Sequence, residues 1–313
     1  MNLIVRDLSV TYPSREGPVR VLRHAHLTLS PGKITALVGE SGSGKSILGA
    51  AILGLLEKDA EVTGRILCGE TDLLALSEEE RNTWRGRRIG WIAQDPVSAM
   101  DPILPVGKQV TEAERFFRRI EKGEERAAAL SQMKRFGLAQ AESVYGKYPG
   151  ELSGGMAQRV LTAMMTMPSP EWIVADEPTK GLDAFVRREV SQAFRRLRDE
   201  KGTGFLLITH DLRLAEHLAD RVGIMYAGEI LEEGPVEAIF QHPLHPYTKA
   251  LLAAQPRRGL RPIPGLPPNL SKLAEGCIFK DRCPLYKKGR CDASQRMAGG
   301  SGHMVRCCRE GEV

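Results

Sequence analysis

A glycine-rich stretch, Gly39 to Ser46, constrains the fold more than any other feature of this 313-residue sequence. It reads GESGSGKS and fits the pattern G-x-x-x-x-G-K-[ST], in which backbone N–H groups curl around phosphate oxygens. The apolar run ITALV precedes it and SILGAAILGLL follows it, so the order predicts a buried strand, the loop and a helix. With this context on both sides, a chance glycine loop is the weaker interpretation.

The residue types of the loop predict separate roles around a triphosphate. Lys45 is expected to reach the β- and γ-phosphates, and the Ser46 hydroxyl to bind Mg²⁺. The helix N-terminus adds a favourable dipole. The backbone cradle is assigned to Gly39, Ser41, Gly42 and Gly44.

Composition places the chain among globular proteins, with 42% hydrophobic and 27% charged residues. No apolar run approaches the roughly 18–20 residues of a membrane helix, and the N-terminus lacks signal-peptide features, so we expect a cytosolic chain. Residues 241–313 carry 13 Lys and Arg against 5 Asp and Glu, together with five of the six cysteines. We therefore expect a boundary near residue 240, with a C-terminal tail over 241–313 and a Pro-rich linker over 256–271.

The first 240 residues read as an α/β domain. Residues 1–40 alternate apolar and polar positions, which predicts strands with turns. Residues 96–152 are rich in helix formers and predict an inserted helical subdomain. Beyond them WIVAD and GFLLITHD read as buried strands separated by a charged helix, the pattern of a parallel sheet covered on both faces.

Two adjacent carboxylates follow the strand WIVAD. Asp176 is expected to hold Mg²⁺ through water, and Glu177 to polarise an attacking water. An isolated Asp-Glu pair is more often a solvated turn, but its place downstream of a phosphate loop favours the catalytic interpretation. These two motifs alone indicate a nucleotide hydrolase or a kinase.

A third motif, ELSGGMAQR at 151–159, decides between those classes. Ser153, Gly154 and Gly155 at a helix start could hold a γ-phosphate through backbone and hydroxyl groups, although in isolation such residues more often form an ordinary capped helix. Here the chain resembles the ATP-binding subunits of ATP-binding cassette (ABC) transporters, whose signature is LSGGQ. Met156 replaces the common Gln. A P-loop kinase would have no reason to carry this motif.

The resemblance extends to further positions over residues 1 to about 240. Tyr12 matches the aromatic residue that stacks on adenine, and Gln94 matches the Q-loop glutamine that touches Mg²⁺ and the membrane partner. Asp183 in KGLD resembles the D-loop, although Lys180 and Gly181 depart from the commoner small residues. His210 matches the switch histidine at the γ-phosphate. The resemblance thus implies catalytic roles for Glu177, His210 and Gln94, with ATP and Mg²⁺ as cofactors.

The family implies a RecA-like P-loop core with a mostly parallel sheet, an antiparallel β subdomain and an inserted helical subdomain. It also implies a dimer, because the phosphate loop of one subunit faces the signature of a second ATPase subunit, here expected to be a different chain. The other partners implied are two transmembrane permease subunits and, through the complex, an extracytoplasmic solute-binding protein. The chain would lie peripherally on the cytoplasmic face of the inner membrane, and no nucleic-acid partner is expected.

Two tail segments resemble one importer branch, which takes oligopeptides, dipeptides or nickel. These are QHPLHPYTKALL at 241–252 and IPGLPPNLSKLAEGCIFKDRCP at 263–284. The long cysteine tail favours peptide substrates over nickel or a metal chelate. A non-transport ABC ATPase, such as a translation or repair factor, is the remote alternative, because those usually fuse two cassettes or insert long coiled coils.

The tail cysteines predict a small, irregular, cysteine-rich C-terminal domain. A cluster in a reducing cytosol favours metal or iron–sulfur ligation over disulfides. The spacing C-x5-C-x7-C-x15-C lacks the C-x2-C of zinc ribbons, so reduced, partly buried thiols stay an alternative. Some members of the branch are thought to hold a 4Fe–4S cluster here, and zinc, with or without His303, is the other metal alternative. The four proposed ligands are Cys277, Cys283, Cys291 and Cys307.

Overall fold

The computed structural model describes residues 1–117, 120–121, 123–273, 275–300 and 302–308. Residues 118, 119 and 122 of the predicted helical subdomain lie outside that description, as do five residues at the end of the tail. Among the described helices, none combines the length and the apolar character needed to cross a membrane.

Strands and helices alternate along most of the chain. The strands are β1 (Leu3–Tyr12), β2 (Val19–Leu29), β3 (Ile34–Val38), β4 (Glu61–Cys68), β5 (Thr71–Asp72), β6 (Ile89–Ile92), β7 (Trp172–Asp176), β8 (Gly204–Thr209), β9 (Arg221–Tyr226), β10 (Glu229–Pro235), β11 (Ala298–Gly300) and β12 (His303–Val305). The helices are α1 (Lys45–Leu53), α2 (Glu78–Trp84), α3 (Val106–Val110), α4 (Glu112–Phe116), α5 (Glu125–Arg135), α6 (Ala141–Tyr145), α7 (Gly154–Thr166), α8 (Ala184–Lys201), α9 (Leu212–Leu218), α10 (Val236–Gln241) and α11 (Pro246–Ala253).

The chain divides into two compact units. The first contains residues 1–30, 34–75 and 208–313, and the second contains residues 31–33 and 76–207. The first unit carries an antiparallel sheet in the order β2-β1-β4-β5. Strand β1 is an inner strand that pairs with β2 on one side and β4 on the other, and its side chains Leu3, Val5 and Val10 are buried.

A second sheet of the first unit carries the phosphate loop. Strand β3 is buried along its whole length and pairs in parallel with β9, where Val38 lies opposite Ile224. A tight turn then returns the chain into β10, antiparallel to β9. Both turn residues have positive φ, 44° at Ala227 and 89° at Gly228, as the hairpin twist requires.

The second unit combines a parallel strand pair with a helical bundle. Strands β6 and β7 pair in parallel, and β8 is the next strand beyond β7. Helix α8 buries one face, on which Phe194 packs against Phe205 of β8 with ring centroids 5.2 Å apart. In the helical part, α3 and α5 pack against α7 around side chains such as Met133 and Val160.

The tail packs within the first unit. Strand β12 pairs with β10, placing Val305 opposite Glu232, and β11 pairs with β12. Between α11 and β11 the described residues form short 3-10 turns, such as Pro256–Arg258 and Lys280–Arg282. Phe279 is 1% exposed and is surrounded by the rings of Tyr226 and Tyr247, at 5.4 and 5.3 Å.

The predicted fold class is confirmed: a P-loop core with parallel strands, an antiparallel β subdomain and a helical insertion are all present. A separate cysteine-rich C-terminal domain is not seen, because the described tail shares a compact unit with residues 1–30 and 34–75. The boundary near residue 240 stays a prediction.

Candidate nucleotide site

The phosphate loop follows β3 and is shaped by glycines at two close approaches. A Cβ added at Gly39 would collide with the carbonyl oxygen of Met225. At Gly44 the backbone has φ 99°, and an added Cβ would lie 2.8 Å from the carbonyl oxygen of Val21. No other residue type fits both positions without shifting backbone. Gly39 and Gly44 are therefore required by packing, independently of any ligand.

Lys45 is held inside the loop by main-chain oxygens. Its Nζ donates to the carbonyl oxygens of Gly39 and Glu40, both at 2.9 Å, and to the Ser43 hydroxyl at 3.2 Å. The residue is 8% exposed, and these oxygens accept hydrogen bonds from its buried side-chain nitrogen. The loop thus presents a fixed cation at the start of α1.

A cavity of about 170 Å³ lies on the loop. It is lined by residues 42–47, by Val21 of β2, and by Leu270 of the Pro-rich segment. Ser46 is exposed in the first turn of α1, and Gly42 is exposed with φ 76°. A lysine, an exposed serine and two glycines of the loop therefore line this cavity, a set of residues that suits phosphate oxygens and Mg²⁺.

Two other predicted residues belong to the first unit. Tyr12 ends β1 half-buried, where burial raises the pKa of its hydroxyl and the nearby carboxylate of Glu57 acts in the same direction. His210 is exposed directly after β8, and the next residue, Asp211, caps α9 by accepting N–H bonds from Arg213 and Leu214. Both residues lie at strand ends, where a ligand could reach them.

In the second unit, Gln94, Asp176 and Glu177 lie at the carboxyl ends of two neighbouring strands. Strands β6 and β7 run parallel with Ile92 opposite Ala175, so Asp176 stands one residue beyond that pair and Gln94 two residues beyond. Asp176 is 4% exposed, whereas Gln94 is exposed. Glu177 has φ 48°, a left-handed conformation that glutamate seldom adopts and that turns the chain sharply after the strand.

The signature motif forms the start of α7. Ser153 is the N-cap, and its hydroxyl accepts the N–H of Met156 at 3.3 Å. Gly154 is exposed, and Gly155 packs beneath Leu182, whose Cδ2 would lie 3.4 Å from an added Cβ. Asp183 follows Leu182 and caps α8. The signature and the predicted D-loop are therefore neighbours, with exposed N–H groups at two helix starts.

The cysteines of the tail lie near one another in the first unit. Burial raises the pKa of the Cys277 thiol to about 12, and the thiols of Cys283, Cys307 and Cys291 act in the same direction. Cys308, which sequence reasoning left out, places its Sγ 3.4 Å from that of Cys291. Burial also raises the pKa of Cys308, to about 11.

This arrangement does not fit a metal site as it stands. Among the residues that the structure describes, no three His, Cys, Asp or Glu side chains are placed to hold one ion. The ring of His303, the alternative zinc ligand, instead places Nε2 2.7 Å from a carboxylate oxygen of Glu232. Glu232 is fully buried and also accepts the N–H groups of Leu244 and His245, so His303 serves the packing of the tail.

Comparison with known proteins accords with this geometry. A family model described as "ABC transporter" matches residues 22–180. A probable peptide ABC transporter ATP-binding protein of Sinorhizobium fredii is 37% identical over 99% of this chain and 96% of its own length. The chain belongs to the ABC transporter ATP-binding family. A second model, "Oligopeptide/dipeptide transporter, C-terminal region", matches residues 231–291 of this family member.

Other relatives carry related names. The oligopeptide transport ATP-binding protein OppD of Mycobacterium tuberculosis is 40% identical over 90% of this chain, which spans 47% of that relative's length. A probable D,D-dipeptide transport ATP-binding protein of Escherichia coli is 38% identical over 90% of this chain and 88% of its own. Among solved structures, a dimeric ATP-binding cassette bound to ADP and phosphate superposes with a TM-score of 0.69, at 27% identity, over 75% of this ABC protein and 99% of that chain.

Proposed function

We propose that this ABC protein binds and hydrolyses ATP, with the Gly39–Ser46 loop holding the phosphates and Mg²⁺. The observation that carries the proposal is the fixed position of Lys45, whose ammonium is held at the helix start by the carbonyl oxygens of Gly39 and Glu40. Ser46 and Gln94 would bind Mg²⁺, and Asp176 would hold it through water. Glu177 would act as general base and His210 would contact the γ-phosphate. Tyr12 would stack on adenine.

The active form is proposed to be a dimer. Ser153 and Gly154 are exposed at the start of α7, with Gly155 half-buried beside them, where a phosphate of a nucleotide held by a facing subunit could reach the helix N-terminus. The dimeric cassette with ADP and phosphate among the solved structures supports this. Asp183, close to the signature, would lie at the same interface. The second ATPase subunit is proposed to be a different chain.

The transported substrate is proposed to be a peptide. Support comes from relatives named for oligopeptide and dipeptide transport, and from the family model over residues 231–291. Two permease subunits and a solute-binding protein would complete the complex, with this chain peripheral on the cytoplasmic face of the membrane. Co-purification with the permeases and peptide uptake that requires this chain would support the peptide assignment. Uptake of nickel alone would favour the other member of the branch.

The tail cysteines carry a finer proposal. An iron–sulfur cluster or zinc would be held, after a local rearrangement, by the thiolates of Cys277, Cys283, Cys291 and Cys307. The proximity of these cysteines supports the proposal. Their present placement argues against it, because no three such side chains among the described residues are arranged to hold one ion. Absorbance near 400 nm in anaerobically purified protein would establish the cluster. A colourless protein with stoichiometric zinc would establish zinc. A protein that contains neither cluster nor zinc would show that the cysteines are reduced thiols.

The test of ATP hydrolysis replaces Glu177. We expect Glu177→Gln to bind ATP normally and to lose turnover by at least about a hundredfold, because the amide cannot accept a proton from water. Steady-state phosphate release and nucleotide binding measure the two effects. Glu171→Gln is the matched control, since Glu171 lies at the opposite end of β7 in a surface ion pair with Arg88. Undiminished turnover in Glu177→Gln would remove Glu177 from this role.

A further inference from the structure

One arginine of the tail forms an ion pair with the phosphate loop. Arg282 lies in the 3-10 turn between Cys277 and Cys283, 242 residues from Glu40. Its Nη1 donates to one carboxylate oxygen of Glu40 at 2.8 Å, and its Nη2 donates to the other at 3.1 Å. Two parallel bonds of this kind fix orientation as well as distance. Glu40 is the second residue of the loop, at a position that the sequence pattern leaves open.

The arginine is itself immobilised from the side away from the loop. Its Nε donates to the carbonyl oxygen of Pro264 at 2.8 Å, and Nη1 also bonds the Tyr226 hydroxyl at 3.2 Å. The guanidinium lies over the rings of Tyr226 and Phe279, and the residue is 7% exposed. Arg282 therefore meets Glu40 as a pre-positioned fork rather than as a flexible surface side chain.

Glu40 receives two further restraints through its main chain. Its N–H donates to the hydroxyl of Tyr247 in α11 at 3.1 Å, and its carbonyl oxygen accepts from Lys45 Nζ at 2.9 Å. A second tail contact comes from Leu270, which lines the cavity on the loop. One of the three acceptors of Lys45 Nζ, the Glu40 carbonyl, thus belongs to a residue that is restrained directly by Tyr247 and Arg282, both from beyond residue 240.

The charge of Glu40 gives this contact a direct consequence for an anionic ligand. A carboxylate one residue from Gly39 would repel phosphate groups in the loop if it carried its charge unpaired. Arg282 neutralises this charge. Because the Glu40 side chain is only 25% exposed, water screens the attraction between the two groups incompletely. The pair therefore acts both on loop shape and on the local potential.

We propose that Arg282 is a positioning residue for the phosphate loop, fixing and neutralising Glu40 so that nucleotide affinity depends on the C-terminal tail. The proposal rests on the proposed binding of ATP. Arg282 touches no reacting atom, so its loss acts on the Kd and KM for ATP and leaves kcat within about twofold. The tail thereby becomes a determinant of nucleotide binding.

The test is a mutant cycle on the full chain with MgATP. Arg282→Met keeps the aliphatic stem and removes the fork, and we expect the Kd for MgATP to rise about tenfold, the size of one lost charge-assisted interaction. Glu40→Gln alone is expected to raise the Kd for MgATP less than about threefold. Because the double variant has no uncompensated carboxylate, it is expected to recover most of the affinity lost in Arg282→Met.

Two further variants keep the test decisive. Arg257→Met removes the same charge from an exposed arginine of the same tail and should leave the Kd unchanged. Tyr247→Phe deletes only the hydroxyl that accepts from Glu40 and should raise the Kd about threefold, which measures the restraint even where Arg282→Met folds poorly. Melting temperatures without nucleotide identify misfolded variants.

The outcomes separate this inference from the proposed function. Folded Arg282→Met with wild-type affinity, or a double variant whose losses simply add, would overturn the positioning role of Arg282. Absence of MgATP binding by the wild-type chain would overturn the proposed function instead. A rise in Kd that is rescued by Glu40→Gln supports both.

Discussion

At the scale of single residues, His245 makes the stability of the first unit depend on pH. Its Nδ1 accepts the N–H of Tyr247 and caps α11, and the ring is 1% exposed. Burial lowers the pKa of His245 to about 3, against about 6.5 for an exposed histidine. Between these values the unfolded chain binds a proton that the folded chain does not, so stability is full above about pH 6.5 and falls as the pH falls.

We expect His245→Asn to flatten this dependence. Asparagine can still accept the Tyr247 N–H as an N-cap but does not titrate. Urea unfolding from pH 7 to pH 4.5 should show the wild type losing stability faster than the variant, by at most about 1.4 kcal/mol per pH unit. Parallel curves for the two proteins would show that His245 is not the titrating group.

Residues of the site differ in how far the sequence could predict them. Lys45 and Ser153 stand in short patterns whose chemistry is local, so the pattern alone points to them. Arg282 and Glu40 meet across 242 positions, and neither stands at a fixed place of a motif. Cys307 is predicted as the last ligand because HMVRC resembles the ligand motif of the branch, whereas the packing of the tail places Cys308 beside Cys291.

At the scale of elements, the eighteen-residue helix α8 depends on its cap. Asp183 accepts the N–H of Val186 at 2.9 Å. Asp183→Ala should lower the free energy of unfolding by about 1 kcal/mol, whereas Asp183→Asn keeps a capping oxygen and should cost a few tenths. Urea unfolding measures both. If Asp183→Asn nonetheless impairs ATP turnover, the charge acts at the proposed dimer interface; equal loss of stability in both variants would contradict the capping role.

Element boundaries were less predictable than element types. The sequence predicts that the helix after the phosphate loop runs through Leu56, but α1 ends at Leu53 because Gly54 adopts a left-handed cap at φ 63°. The helical subdomain was expected from its composition, and the structure divides it into short helices; α5, for example, stops before Gly137 at φ 76°. Propensity predicts that a segment is helical, whereas single glycines and tertiary packing decide where it stops.

At the scale of the whole molecule, Phe279 joins the tail to the first unit. Its buried ring contacts Tyr226 of β9 and Tyr247 of α11. Phe279→Ala should lower the free energy of unfolding of that unit by about 3–5 kcal/mol. Hydrogen exchange should then increase first at amides of β9 and β10. Tyr286→Ala is the control in the same segment, 43% exposed, and should cost less than about 1 kcal/mol. Equal losses of unfolding free energy in Phe279→Ala and Tyr286→Ala would show that the tail does not unfold cooperatively with the rest of the first unit.

Composition separated the tail from the rest of the chain, but packing joins them. The excess of positive charge and the cysteines after residue 240 are real features of the sequence. They say nothing about strand pairing, however, and β12 reaches back to β10 across about 70 residues. Long-range pairing of this kind depends on which surfaces are left to be covered, which local patterns do not encode.

The pairing of β12 with β10 also bears on how copies of this chain behave towards one another. Strand β10 has β9 on one side and β12 on the other, so its N–H and C=O groups are engaged on both sides where β12 runs beside it. A chain shortened before β12 would present an unpaired strand edge, the template on which identical strands add in register and aggregate. Strand β12 therefore covers the edge of β10 and leaves only the three-residue strand β11 as the edge on this side of the sheet.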